Sequence, residues 1–154
     1  MGEAPRRTPR VAPLVVPASL LSEAVDGSRV TELRHAVGAH LRTVGLAGEH
    51  LEDFVLAVNE LLTNVVRHGG GNGWLRLWRD NQDIVCEVSD RGPGLDAAHV
   101  EKHDRPAPGT VGGWGLWLAD QLSDSMAVQT GPAGTTIRIT TSLPRRAASD
   151  HTDN

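Results

Sequence analysis

The sequence predicts an α+β fold: a two-layer sandwich with helices on one face of a mixed, mostly antiparallel sheet. Two long stretches, 28–44 and 48–67, carry apolar residues at helical spacing, while two paired runs, 73–89 and 126–143, alternate and are split by turn residues. Strict strand-helix alternation is missing, which argues against a doubly wound parallel sheet.

Taken in order, Val11 to Val16 is short, β-branched and flanked by prolines, and is expected to open the sheet as an edge strand. From Ser28 to Val44, residues Val30, Leu33, Val37, Leu41 and Val44 recur at helical spacing, and Gly45 is placed to stop the helix. A second helix, Gly48 to Arg67, buries Leu51, Phe54, Val55, Val58, Leu61, Leu62 and Val65 and ends at Gly69-Gly70-Gly71. Gly73 to Asp80 and Ile84 to Ser89 form a hairpin around Asn81-Gln82. Leu95 to Val111 is polar, contains Pro106 and Pro108, and is the lid candidate. A third helix is expected over Gly113 to Leu122, then strands Met126 to Thr130 and Thr135 to Leu143 around Gly131-Pro132-Ala133-Gly134. Residues 11–143 should be one domain, with 1–10 a flexible arm and 144–154 a flexible tail.

A net charge of -4 provides no summed positive field to draw the chain onto nucleic acid or an anionic membrane. Cys86 is the only cysteine, so neither an internal disulfide nor a thiolate metal cage can form, and a cytoplasmic setting is expected. Arg6-Arg7 ahead of an apolar stretch imitates a secretion signal, but Pro13 and Pro17 interrupt it.

Three segments carry candidate chemistry. On a helix, Glu60, Asn64 and His68 lie four residues apart and drift slowly around one flank. The Asn64 amide oxygen suits magnesium, which takes one or two protein oxygens and fills its octahedron with water and phosphate. Glu60 is the general-base candidate, and His68, ahead of Arg67, could meet phosphate oxygens. Asp90, where a strand runs into Gly92-Pro93-Gly94, could accept the exocyclic amine of adenine and repel guanine, with Gly92 and Gly94 admitting close backbone approach. Gly113 and Gly115, ahead of Leu116, open a helix whose free N–H groups could face phosphate. Thr135 and Thr136, after Gly134, could back the Asp90 carboxylate. No phosphate-loop motif exists, and the only lysine is Lys102. Each segment has an ordinary reading too: a solvated helix face, a turn, a glycine hinge. The tryptophans Trp74, Trp78, Trp114 and Trp117 are expected to pack in the core or on a sheet face rather than stack on a base.

Together these segments resemble the GHKL superfamily of ATP-binding domains, whose N, G1 and G2 boxes look like Glu60 to His68, Asp90 to Gly94 and Gly112 to Gly115. ELLTNVVRHGGG, IVCEVSDRGPG, GGWGLWLADQLSD and GPAGTTIRI are further similar to the bacterial anti-sigma factor type of serine/threonine protein kinase, over roughly residues 11–143. The resemblance implies a Bergerat sandwich, ATP and Mg2+ as cofactors, magnesium on Asn64, Glu60 as base, and adenine on Asp90. It also implies two partners, a sigma factor and a STAS-type anti-sigma factor antagonist phosphorylated on serine or threonine, and leaves homodimer formation open. Trp114 departs from the family, which often has arginine between the G2 glycines. The alternative is a non-catalytic module that uses nucleotide only to set its shape. Sensor histidine kinases share the boxes, but His35 in LRHAVGAH lacks the acidic neighbour of their phosphoacceptor histidine.

Overall fold

The computed structural model describes residues 18–94 and 114–144. In chain order these form β1 (Ala18–Asp26), α1 (Val30–Thr43), α2 (Gly48–His68), β2 (Asn72–Asp80), β3 (Asp83–Asp90), α3 (Trp114–Gln121), β4 (Ser125–Gly131) and β5 (Gly134–Ser142). The strands make one five-stranded sheet in the order β1-β2-β3-β5-β4. Every neighbouring pair is antiparallel, so the parallel component implied by a mixed sheet is absent among the described residues.

Alternation along the strands sorts the two faces. Val25, Leu75, Leu77, Ile84, Cys86, Val88, Ile137 and Ile139 point to the helices and join Leu33, Val37, Phe54, Val58, Leu61 and Leu62 in one core. Cys86 lies in its centre, where burial pushes the thiol far above its ordinary range and leaves it unreactive. The opposite face carries no described helix. There Glu87 bridges Arg76 at 3.1 Å and Arg138 at 2.7 Å, and both guanidinium groups lie over the Trp78 ring at 5.4 and 5.3 Å. Trp78 thus takes the sheet-face role expected of it. Trp74 is 46% exposed, and its indole N–H donates to Ser22 Oγ at 2.8 Å, so this tryptophan is outside the core.

The edge strand is Ala18–Asp26, a stretch in which no strand was expected; Val11 to Val16, where one was, lies outside the described residues, as do the arm, the lid candidate and the tail after Pro144. The first helix begins at Val30 rather than Ser28 because the Ser28 amide and hydroxyl both donate to Asp26 Oδ1, at 2.8 and 2.5 Å. That turn occupies the serine that would otherwise cap the helix, and it holds the Asp26 carboxyl below its ordinary range. Gly45, at φ +108°, ends α1 as expected, with its N–H donating to the Arg42 carbonyl at 3.1 Å. The β2–β3 turn is Asn81-Gln82, with Asn81 at φ +59°.

Phe54 is fully buried at the centre of this core, whereas Leu56, two residues on, is 44% exposed. Phe54→Ala is expected to cost about 3–5 kcal/mol of unfolding free energy, and Leu56→Ala to stay within about 0.5 kcal/mol. Urea denaturation followed by circular dichroism measures both.

Candidate functional site

The site is built where the C-terminal end of α2, the end of β3 and the start of β5 converge. β3 and β5 pair in a register that sets Asp90 opposite Thr135. Asp90 therefore points to the helix side, at the last position of its strand. Its Oδ1 accepts the Gly92 N–H at 2.8 Å and the Thr135 N–H at 3.3 Å. Among the described residues both hydrogen bonds to this carboxylate end on Oδ1, which leaves Oδ2 able to accept from a ligand. Thr135 is 4% exposed, and its hydroxyl is held by Thr130 Oγ1 at 2.8 Å.

Glycine makes this convergence possible. A Cβ on Gly69 would overlap the Asp90 carboxylate, and one on Gly92 would lie 2.5 Å from the Gly69 carbonyl carbon. Gly94, at φ +90°, faces the Gly131 carbonyl just as closely, and Gly134, at φ +143°, faces the Asp90 carbonyl. Backbone lies on backbone around the carboxylate, so its position is fixed from several sides.

The polar flank of α2 leads away from Asp90. Glu60 and Asn64 are half-buried and His68 is exposed; among the described residues none of the three side chains makes a hydrogen bond. With a rise of about 1.5 Å per residue, Glu60 lies on the order of 13 Å along the axis from Gly69, and Asn64 falls between them. At the far end α3 packs on α2, and a Cβ on Gly115 would meet Glu60 Oε1 at 3.1 Å. The missing side chain at Gly115 brings the first turn of α3 close to the Glu60 carboxylate. Leu116 is buried in the core with 3% exposure, so what it can offer a ligand is backbone N–H. Gly113 lies outside the described residues, as does the side chain of Trp114.

The structure therefore brings Asp90, Gly92, Gly94 and Thr135 into one cluster, sets Gly115 beside Glu60, and leaves His68 at the exposed helix end. Gly69, Gly134 and Thr130 were not expected in the site. Gly69 and Gly134 read as a helix stop and a turn residue, and no spacing links them to Asp90; only the fold puts them against it. The arrangement offers a hydrogen-bond acceptor at Asp90 and, further along α2, polar side chains beside the free N–H groups at the start of α3. No group of three or more His, Cys, Asp or Glu residues able to hold a metal occurs among the described residues. A metal bound by Asn64 would have to draw most of its ligands from water and phosphate, as magnesium does. Nor, among the described residues, is any helix long and apolar enough to cross a membrane.

Comparison with known proteins agrees with this geometry. Residues 24–141 match the model of the histidine kinase-like ATPase domain. The chain is 30% identical to serine-protein kinase RsbW of Halalkalibacterium halodurans, over 95% of this chain and 89% of that one. It is 31% identical to serine-protein kinase RsbW of Bacillus licheniformis, over 71% and 75%. Among solved structures, the SiaB–SiaC complex of Pseudomonas aeruginosa superposes with a TM-score of 0.63 at 14% identity, over 80% of this chain and 90% of that one. The RsbU and RsbW domains of a Mycobacterium tuberculosis protein give a TM-score of 0.61 at 22% identity, over 82% of this chain and 33% of that one. At these identities the structural likenesses speak to the fold, which they share with this five-stranded sheet and its helices. With most of its length matched, the chain belongs to the histidine kinase-like ATPase domain family.

Proposed function

We propose that this protein is an ATP-binding anti-sigma factor that phosphorylates a serine or threonine on a STAS-type antagonist, the transfer switching it between antagonist and sigma factor. The observation that carries the nucleotide half is the Asp90 carboxylate, fixed through Oδ1 and able to accept an exocyclic amine through Oδ2. The kinase half draws support from relatives named serine-protein kinases at about 30% identity. The partner half draws on the fold shared with the SiaB–SiaC complex.

In this reading Asp90 selects adenine, because a guanine carbonyl would face an unpaired carboxylate. Gly92 and Gly94 shape the pocket by letting the Gly69 and Gly131 backbone pack against them, and Thr135 keeps the carboxylate in place. Glu60 accepts the proton of the antagonist hydroxyl as its oxygen bonds to the terminal phosphorus of ATP and the bond from that phosphorus to the leaving ADP oxygen breaks. Asn64 would hold magnesium through its amide oxygen, and the ion would supply charge neutralisation at the phosphate oxygens. His68, Gly113, Gly115 and the Leu116 N–H contact phosphate.

A second reading, nucleotide-dependent sequestration without transfer, is favoured by one feature, Trp114 in place of a cationic residue between the G2 glycines. The two readings part at Glu60. Purified wild type with magnesium and labelled ATP is expected to label an antagonist protein from the same genome, and Glu60→Ala to bind ATP but leave the antagonist unlabelled. Equal labelling by both proteins would remove Glu60 as the base, and no labelling by wild type would favour sequestration.

Base recognition is tested by calorimetry. Asp90→Asn is expected to lose about 1.5–3 kcal/mol of ATP affinity, the range for a hydrogen bond to a charged group. Gly69→Ala should lower affinity in the same direction, because its Cβ must displace the Asp90 carboxylate. Unchanged binding in both variants would place adenine elsewhere.

A further inference from the structure

Asp90, Thr135 and Thr130 are register partners on three neighbouring strands, β3, β5 and β4. They form a row across one end of the sheet, on the face that carries the helices and directly beyond the apolar row Val88, Ile137 and Val128. The row is linked. The Thr135 N–H donates to Asp90 Oδ1 at 3.3 Å, and the Thr135 and Thr130 hydroxyls lie 2.8 Å apart. The turn after β3 leans on the same residue, since a Cβ on Gly94 would lie 3.2 Å from Thr130 Oγ1. Thr130 stands on the edge strand, one residue ahead of the GPAGTTIRI segment, and β propensity alone accounts for a threonine there. Propensity does not account for its hydroxyl, because valine has nearly the same shape and suits a strand as well. Thr135 is buried, and a buried hydroxyl left without a partner is costly. Among the described residues Thr130 supplies that partner. The two branches of a threonine Cβ are close in size, so sterics hardly distinguish the rotamers that exchange hydroxyl and methyl. The hydrogen bond does.

We propose that Thr130 is a positioning residue for the Asp90 carboxylate, acting through Thr135 and setting how sharply the site prefers adenine to guanine. Its hydroxyl holds Thr135 in one rotamer and keeps the ends of β4 and β5 in step, and Thr135 so placed keeps its N–H on Asp90 Oδ1. At 3.3 Å that N–H bond is already long, so a small displacement of the Thr135 backbone is enough to release the oxygen. Once Oδ1 is released, the carboxylate turns, and Oδ2 is no longer aimed at the exocyclic amine. The contact with Gly94 works in the same direction, because it supports the turn whose Gly92 N–H is the other donor to Oδ1. Thr130 itself lies two strands from Asp90 and meets no ligand group in this scheme. The inference rests on the reading of Asp90 as the adenine acceptor and adds to it the residue that fixes the acceptor's aim.

The test is calorimetric titration of the full chain with ATP and, separately, with GTP, both with magnesium. Thr130→Val keeps the shape and removes the hydroxyl. It is expected to lose about five- to tenfold in ATP affinity and less than about twofold in GTP affinity, so that the ratio of the two narrows. Thr130→Ser keeps the hydroxyl and is expected to stay within about twofold of wild type for both nucleotides. Packing alone would rank the variants the other way, because serine lacks the methyl group that valine retains. The ratio of two affinities does not depend on how much of the sample is folded, so lost stability cannot imitate the effect. Thr135→Val alone and together with Thr130→Val should bind ATP equally, since the second change removes nothing that the first has left. An unchanged ratio in Thr130→Val, a serine variant as impaired as the valine one, or additive losses in the double variant would overturn the proposal. Asp90→Asn separates the two levels. If it weakens ATP binding and Thr130→Val does not, this inference fails and the nucleotide reading stands; if it leaves ATP binding unchanged, the nucleotide reading fails and this inference with it.

Discussion

Everything at this end of the molecule depends on how closely three backbone segments approach the Asp90 carboxylate. The end of α2 at Gly69, the turn after β3 at Gly92 and the start of β5 at Gly134 and Thr135 meet within contact distance. Two N–H groups hold one carboxylate oxygen, so the other is aimed rather than free to rotate. A side chain at any of the three glycines would push helix, strand or carboxylate out of place. A carboxylate held in this way cannot turn away to find another partner, which is the preorganisation that selective recognition requires.

The sheet behind the site is suited to hold that arrangement. Its helix-facing side is apolar almost throughout, and the central strands β3 and β5 run the length of the core before delivering Asp90 and Thr135 to the same edge. The opposite face is knit by Glu87 between two arginines that both cover Trp78. Exposed ion pairs and cation–π contacts contribute only about 0.5–1 kcal/mol each, so this network tunes the sheet rather than making it. Burial of the inner face does most of the work.

Much of this was legible in the sequence because periodicity and punctuation agreed. The helix ending at Gly69, the hairpin at Asn81-Gln82 and the strand pair at Pro132-Ala133 each combine a clear period with a residue type that ends it. The edge strand was not legible. In Ala18–Asp26 the ladder shifts register between Ser19 and Leu21, and Glu23 occupies a register position opposite buried Leu75, where it pairs with Arg29 at 3.1 Å. A bulge and a part-exposed carboxylate at a helix-facing register position together erase the alternation that would have marked it. In the site, the side chains with chemistry could be read from spacing on one helix, but the glycines that pack around Asp90 are distant in sequence and carry no pattern of their own.

One helix joins the core to the candidate site. α2 puts Leu51 and Phe54 into the core with its first half, Glu60 and Asn64 on its polar flank with its second, and Gly69 against Asp90 at its end. Arg34 of α1 bonds Asn59, the residue before Glu60, at 3.4 Å. Because α2 is 21 residues of continuous helix packed through Phe54, Val58, Leu61, Leu62 and Val65, it moves as a unit or not at all. At its end the contact with Asp90 has no slack, since even a methyl group on Gly69 would overlap the carboxylate. An axial shift of α2 would therefore disturb both Asp90 and the approach of Glu60 to Gly115. Close packing at the end of the helix ties the position of the Asp90 carboxylate to the core packed along the rest of it.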